Sequence, residues 1–276
     1  MEIQQSSRYA DFIRSLGWVV ERVDGNYIFI KPFPIIGGLA KLQRTTTLPS
    51  LSKLLPILSK HHVKTLAIEP DSRVRQQDFT RWCTYAASRI RLNKDPFIPT
   101  KTIQVGLTDS EHNLFHRFTE AKRRAVRRAE KNRLIATVSS DIDAFIRLKN
   151  RSAGFFGFIT TTGAKKLWDK LPEKNRAVLL ANAQNQLHPV AGIFLIFWNR
   201  IAYYWIAAAT KEGKKLFAPT YLVWEALKVS KKRGCKTLDF VGVWDERRKE
   251  KNHEWKGFTK FKEGFGGVPL YYPLTP

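Results

Sequence analysis

A chain of 276 residues with 43% hydrophobic content can fill the core of one large domain or two ordinary ones, which excludes a disordered or fibrous polypeptide. Its 48 Lys and Arg against 24 Asp and Glu leave a formal charge of +24, so a polyanionic partner is expected; nucleic acid, an anionic membrane surface and plain solvation of basic faces all fit the charge alone. Cys83 and Cys235 are too few and too far apart for a disulfide framework or a multi-thiolate zinc site, and MEIQQSSRYADF lacks the basic and apolar regions of a secretory signal, so the expected compartment is the cytoplasm.

In chain order, SSRYADFIRSLGW predicts a helix capped by Ser7, with Phe12, Ile13 and Leu16 as its apolar stripe and Gly17 as its stop. WVVERV and NYIFIKPF predict a strand pair joined through Asp24-Gly25-Asn26. Leu51, Leu54, Leu55 and Leu58 predict a helix over 48–61, and KTLAIEP a strand stopped by Pro70. The two prolines of LNKDPFIPTKTIQVGLT mark a crossover between lobes. A single helix is expected from Asp109 to Lys131, then the strand LIATVSS, a helix from about Asp141, the helix AKKLWDKL and the strand RAVLLANA. VAGIFLIFWNRIAYYWIAAA is long enough for a membrane span, but Asn199 and Arg200 in its middle predict a hairpin of two buried strands. Tyr221 to Arg233 predicts a helix ended by Gly234, and KTLDFVGV a strand. Two lobes that each mix helices with hairpins point to an α+β fold made by duplication of one unit.

Four stretches could carry chemistry. TEAKRRAVRRAEKNR confines Ala121, Ala125, Val126 and Ala129 to a narrow stripe and makes the rest of the helix cationic; Arg123 with Arg127, and Arg124 with Arg128, repel at i,i+4 until an anion intervenes. A solvated helix balanced by Glu120 and Glu130 is the alternative. His112 and His116 have helical metal spacing but no third ligand, and no metal site is expected. Asp239 stands near the end of an apolar strand before the charged loop DERRKEKNHEW, where it either serves a site or caps a turn. FTKFKEGFGG, residues 258–267, reads as a strand with Phe on one face and Lys260 and Lys262 on the other. Walker A, G-x-S-x-G and G-x-G-x-x-G patterns are missing, so hydrolase-elbow, P-loop and Rossmann readings fall away at motif level.

In order and spacing, AYYWIAAAT, APTYLVWEALKVSKKRGCKTLDFVGV and FTKFKEGFGG resemble the second lobe of the Fem family of peptidoglycan-bridge aminoacyltransferases. Upstream, QSSRYADFIRSLGW, AIEPD, PTKTIQVGLTDSE and AKRRAVRRAEKN resemble the family's opening helix, strand end, crossover and basic helix, so the likeness covers nearly the whole chain. It implies two tandem GNAT-like (acyl-CoA N-acyltransferase-like) lobes of mixed sheets flanked by helices, 1–100 completed by 268–276, and 101–267, without the coiled-coil arm of some members.

The implied activity moves an amino acid from aminoacyl-tRNA onto an amino group of a nucleotide- or lipid-linked peptidoglycan precursor, by a cytoplasmic monomer with possible peripheral contact at the inner face of the membrane and no cofactor. Lys262 matches the lysine of the family's Phe-Lys motif and is the expected catalytic cation; Asp239 and Glu69 are candidate bases, with Glu69 where the family usually has Asp. Phe261, Tyr204, Tyr221, Gly266 and Gly267 are expected to shape the substrate cleft, and Lys31 to contact phosphate. Arg123, Arg124, Arg127, Arg128 and Lys260 are assigned to RNA. Two departures bear on the acceptor: GFITTTGAKKLW places Thr160 to Thr162 where members carry Arg followed by Tyr, and LQRTTTLPS replaces a Gly-Pro stretch. The alternatives are a GNAT-like N-acyltransferase using acyl-CoA or acyl carrier protein, against which the missing Gly-rich pyrophosphate loop counts, and a non-catalytic RNA-binding protein on the same scaffold.

Overall fold

Ser6, rather than Ser7, caps the first helix: it is extended at φ −92° and its side chain accepts from Tyr9 N, leaving Ser7 as the first residue of α1 (Ser7–Ser15). The computed structural model describes residues 2–33, 37–153, 161–184, 187–248, 251 and 253–276. Its chain divides into two compact units, Met1–Lys101 with Leu270–Pro276, and Thr102–Pro269.

In the first unit, β1 (Val19–Val23) and β2 (Asn26–Lys31) pair through the Asp24-Gly25 turn, whose left-handed φ of 46° and 80° suits a two-residue hairpin. β3 (Gly38–Gln43) continues antiparallel, and α2 (Leu51–Lys60) crosses over to β4 (Val63–Glu69), parallel to β3. α3 (Gln76–Ala87) crosses over again to the short β5 (Arg91–Leu92), which completes a five-stranded mixed sheet of order β1-β2-β3-β4-β5. Ile28, Ile30, Leu42, Leu54, Leu66 and Phe79 fill its core. The apolar stripe of α2 lies as its leucine spacing predicts, whereas β3 and α3 were not foreseen; GLAKLQ is too short and too polar to announce a strand.

In the second unit, β6 (Lys101–Gly106) leads into α4 (Glu111–His116) and α5 (Glu120–Lys131). The single helix expected from Asp109 to Lys131 is therefore two. Phe118 is pulled into the core at 1% exposure, Thr119 turns extended at ψ 153° as the second helix's N-cap, and its N–H is taken by Gly264 O. β7 (Ile135–Ser139), α6 (Ile142–Ala153), α7 (Ala164–Lys170) and β8 (Arg176–Asn182) follow, then the hairpin β9 (Ala191–Trp198) and β10 (Ile201–Ala209) turning at Asn199-Arg200, both left-handed. α8 (Lys211–Lys215) and α9 (Ala218–Lys232) cross over to β11 (Thr237–Asp239), parallel to β10. The sheet order is β12-β6-β11-β10-β9-β8-β7, with β12 at Val268–Tyr271. Leu195, Leu222, Leu227, Leu238, Phe240 and Phe265 mark its core.

FTKFKEGFGG is not a strand. α10 (Lys256–Glu263) carries Phe258 to Glu263, and the chain turns at Gly264. Phe258 and Phe261 stand three apart within the helix, a helix-face spacing, Phe265 follows beyond the Gly264 turn, and the two lysines do not pair on a sheet face. No helix of the described residues is long and apolar enough to cross a membrane.

Candidate active site

β11 ends at Asp239, and the chain then does something costly: Val241, a β-branched residue, is left-handed at φ 63°. Such a backbone costs on the order of 1–3 kcal/mol and persists only when its surroundings hold it. Two residues do so from opposite sides. The carboxylate of Asp239, 2% exposed, accepts from Val241 N and Thr102 Oγ1 on Oδ1 (both 2.6 Å) and from Gln104 Nε2 on Oδ2 (2.8 Å). Lys262 Nζ donates to Phe240 O at 2.8 Å and Gly242 O at 2.6 Å, the carbonyls flanking Val241.

Asp239 and Lys262, far apart in sequence, thus meet on one strained turn. An ammonium has three N–H donors; the turn uses two, and the third has no hydrogen-bond partner among the described residues. Its surroundings are aromatic, with Nζ 4.8 Å from the Phe258 ring centroid and 5.8 Å from those of Tyr204 and Phe240. Burial pushes the Lys262 ammonium down to about 8, against the opposing pull of the Asp239 charge. The Tyr204 phenol is pushed well above its ordinary range by burial and stays neutral.

Beside this turn a cavity of about 490 Å³ opens, lined by Tyr204 and Phe261, by the small residues Gly192 and Ala207 to Ala209 and by Phe217, Pro219 and Thr220, with Lys149 and Lys214 as its cations. Local backbone choices create it. The β9–β10 register shifts between Tyr204 and Ile206, a bulge in the strand, and α9 starts from Phe217, held left-handed at φ 62° before Ala218-Pro219. Lys149 Nζ donates to Ala207 O at 3.1 Å; burial, then the like charge of Lys214, holds its ammonium below the usual lysine range.

The structure therefore gathers Lys262, Asp239, Tyr204 and Phe261 in the second unit, and distributes the other expected residues elsewhere. Tyr221 does not line the cavity; burial and the charges of Glu225 and Glu130 raise its phenol, which bonds the Ala136 backbone. Gly266 and Gly267 admit close approach, but of the protein's own chain: a Cβ on Gly266, itself at φ 72°, would lie 2.6 Å from Arg117 O, and one on Gly267 2.8 Å from Gln104 O. On α5, Arg123 bonds His116 O and Phe118 O and so closes the end of α4, and Arg124 pairs with Glu120 at 2.8 Å, while Arg127 and Arg128 are exposed, as is Lys260. His112 and His116 pack their rings with centroids 4.4 Å apart and planes tilted by 49°.

Glu69 and Lys31 lie in the first unit. Glu69 accepts from Phe97 N (2.5 Å), Ile98 N (2.8 Å) and Gln43 Nε2 (2.9 Å); burial raises its carboxyl above the usual range despite these bonds and the Arg44 charge. Lys31 Nζ donates to Gly17 O at 3.2 Å. Thr160 lies outside the described residues, and Thr161 Oγ1 donates to Asn150 Oδ1. Sequence reading missed Lys149, Lys214, Phe217 and the Val241 turn; the Pro of APTY just inside a helix start was the one local signal for the cavity's edge.

Residues 165–270 match the model of the FemAB family. No curated protein matches the sequence. Among solved structures the chain is similar to the crystal structure of FemX, with TM-score 0.77, 16% identity and coverage of 98% of this chain and 90% of that one. It is also similar to the C-terminal DUF2156 domain of an Agrobacterium fabrum protein (TM-score 0.61, 13% identity, 99% and 89% covered). A tandem GNAT protein from the clavulanic acid biosynthesis pathway is a further likeness (TM-score 0.51, 12% identity, 92% and 79% covered). At these identities the likeness shows the fold, an α+β pair of GNAT-like lobes.

Proposed function

We propose that this Fem-family protein, a transferase by its family, moves an amino acid from aminoacyl-tRNA to an amino group on the stem peptide of a peptidoglycan precursor. The observation that carries the reading is the Lys262 ammonium, held by Phe240 O and Gly242 O and standing 5.8 Å from the ring of Tyr204, which with Phe261 lines the neighbouring cavity. Aminolysis of an ester needs that one donor more than it needs an enzyme nucleophile. The acceptor amine's lone pair attacks the ester carbonyl carbon, and the carbonyl π electrons move to oxygen. The remaining Lys262 N–H meets that oxyanion, an interaction worth about 2.7–4 kcal/mol for one donor. Collapse expels the ribose oxygen, which leaves with the proton the amine gives up, so an amide and a free RNA 3′ end result without a covalent enzyme intermediate.

In this reading Asp239 is the support of the turn: its oxygens already accept three hydrogen bonds. Phe261 and Tyr204 exclude water from the ester, and Lys149 and Lys214 attract the phosphates of the donor's 3′ end into the cavity. Lys31 of the first unit is assigned to a phosphate of the precursor, nucleotide-linked in the cytoplasm or lipid-linked at the membrane face.

The test is donor choice. The purified protein is given charged tRNA, acyl-CoA and candidate precursors, and deacylation of each donor is followed. Deacylation of tRNA that depends on the precursor supports the proposal; consumption of acyl-CoA alone moves the protein to N-acyl transfer, and binding of RNA with no turnover of either donor makes it a binding protein.

A further inference from the structure

Away from the Lys262 turn, two exposed arginines of α5 stand near aromatic rings of α4 and of the α9 start. Arg128 stands 5.6 Å from the ring of Phe217, which lines the cavity. Arg127 stands 5.7 Å from the ring of Phe115. Three residues before and one after that phenylalanine on α4, the exposed imidazoles of His112 and His116 pack with centroids 4.4 Å apart and planes tilted by 49°. Arg127 and Arg128 are exposed and have no carboxylate partner among the described residues, whereas Arg123 and Arg124 of the same helix are spent on the α4 end and on Glu120.

We propose that these groups, Phe217 with Arg128, Phe115 with Arg127, and the His112–His116 pair, form a track for single-stranded RNA that carries the donor's tail away from the cavity. The proposal rests on the reading of the donor as an RNA-borne ester. A single strand offers phosphates and bare base faces in alternation, and interleaved guanidinium and aromatic groups are their complement. A duplex keeps its base faces stacked inside and has no use for the rings. Binding to an anionic membrane uses large apolar side chains that enter the interface. The exposed large hydrophobics among the described residues, such as Ile135, Val138 and Phe258, lie on none of α4, α5 and α9. Arg127 and Lys131, four apart on α5, repel each other until an anion sits between them.

The test measures binding directly, so that it does not depend on turnover. A labelled single strand of about 12 nucleotides ending in CCA-3′ is titrated against the whole chain over a range of salt. Arg127→Gln with Arg128→Gln is expected to weaken binding about tenfold and to lower the log–log salt slope by about 1.4, two single-strand phosphate contacts. His112→Ala with His116→Ala is expected to weaken it about tenfold at unchanged slope, because stacking releases no counterions. Arg75→Gln with Arg81→Gln takes the same charge from α3 of the first unit and is expected to change neither quantity. Equal losses from the two charge variants overturn the track in favour of general charge attraction. A wild-type chain that binds the strand, with track variants that bind it equally well, overturns the track and leaves the RNA reading standing. A wild-type chain that does not bind the strand overturns both. If the Arg127/Arg128 variant loses phosphatidylglycerol vesicles and keeps RNA, the face belongs to a membrane and the proposal fails.

Discussion

Glu69 and Asp239 are the same device in the two units, put to different use. Each is a buried carboxylate at the end of a strand, β4 or β11, and each is satisfied by backbone N–H groups and a glutamine side chain. Glu69 reaches 28 and 29 residues along the chain to Phe97 and Ile98 and stitches down the segment that leaves the first unit. Asp239 reaches only two residues, to Val241, and holds a left-handed turn whose outer carbonyls then seat an ammonium. A satisfied buried carboxylate is therefore no signature of catalysis. What differs is whether the backbone it holds presents anything, and only the second unit's turn does.

The comparison is most sharply broken at Lys262. Lys262→Met keeps the stem and removes all three donors; kcat is expected to fall by about 10² to 10³, read in single-turnover transfer from charged tRNA, with the circular dichroism spectrum retained. The pH profile sharpens it. Because the ammonium must keep its proton to donate and burial holds it at about 8, activity is expected to decline as pH rises through about 8. Lys262→Arg, which does not deprotonate in this range, should move that limb upward whatever its rate.

Asp239→Asn turns one acceptor into a donor facing Val241 N–H, Thr102 Oγ1 or Gln104 Nε2. A loss of about 1–3 kcal/mol in denaturant unfolding is expected, together with reduced kcat. Glu69→Gln should separate the two readouts, lowering stability while leaving kcat close to wild type. Its pH signature is opposite to that of an ordinary salt-bridged carboxylate. The folded-state pKa of Glu69 lies above the unfolded value, so the native state binds more protons between the two, and this group's contribution to stability falls as pH rises through that window. The variant should lose that dependence in melts across the carboxylate range.

Gly266→Ala, behind α10, meets the backbone of Arg117 at φ 72° and should cost on the order of 1–3 kcal/mol in a thermal melt. The smallest effect is expected at Gly264→Ala, which meets the stem of Lys122 at 2.7 Å from Cε and Thr119 Oγ1 at 3.3 Å, where the flexible lysine can step aside.

Elements with strong local signals were legible: the leucine stripe of α2, the Asp24-Gly25 hairpin, and the Asn199-Arg200 turn that makes a hairpin of the longest apolar run. Errors fell where two periods compete. In FTKFKEGFGG the Lys–Phe alternation mimics a strand over five residues, while Phe258 and Phe261 keep the spacing of the helix that starts upstream at Lys256, and only the longer window decides between them. The break at Thr119 was hidden because its cause is tertiary: Phe118 enters the core against Trp224 and Phe265, and Gly264 takes the freed N–H. Of the site, Lys262 and Asp239 could be named from motif and position, but not their shared turn, since nothing in VGV announces that a valine will be left-handed. The cavity's lysines were invisible for a different reason: Lys149 and Lys214 sit in separate basic stretches, and their meeting depends on the β10 bulge and the start of α9.

An amine near pKa 8 is a reagent as well as a donor. At pH 7 about a tenth of such groups would carry a free lone pair, where an ordinary lysine shows about one in two thousand five hundred. Set beside an activated ester, that lone pair would capture the amino acid for the enzyme itself. The two carbonyls that accept from Lys262 favour its protonated form, so in the proposed transfer the turn that holds the residue would also keep it from becoming the acceptor.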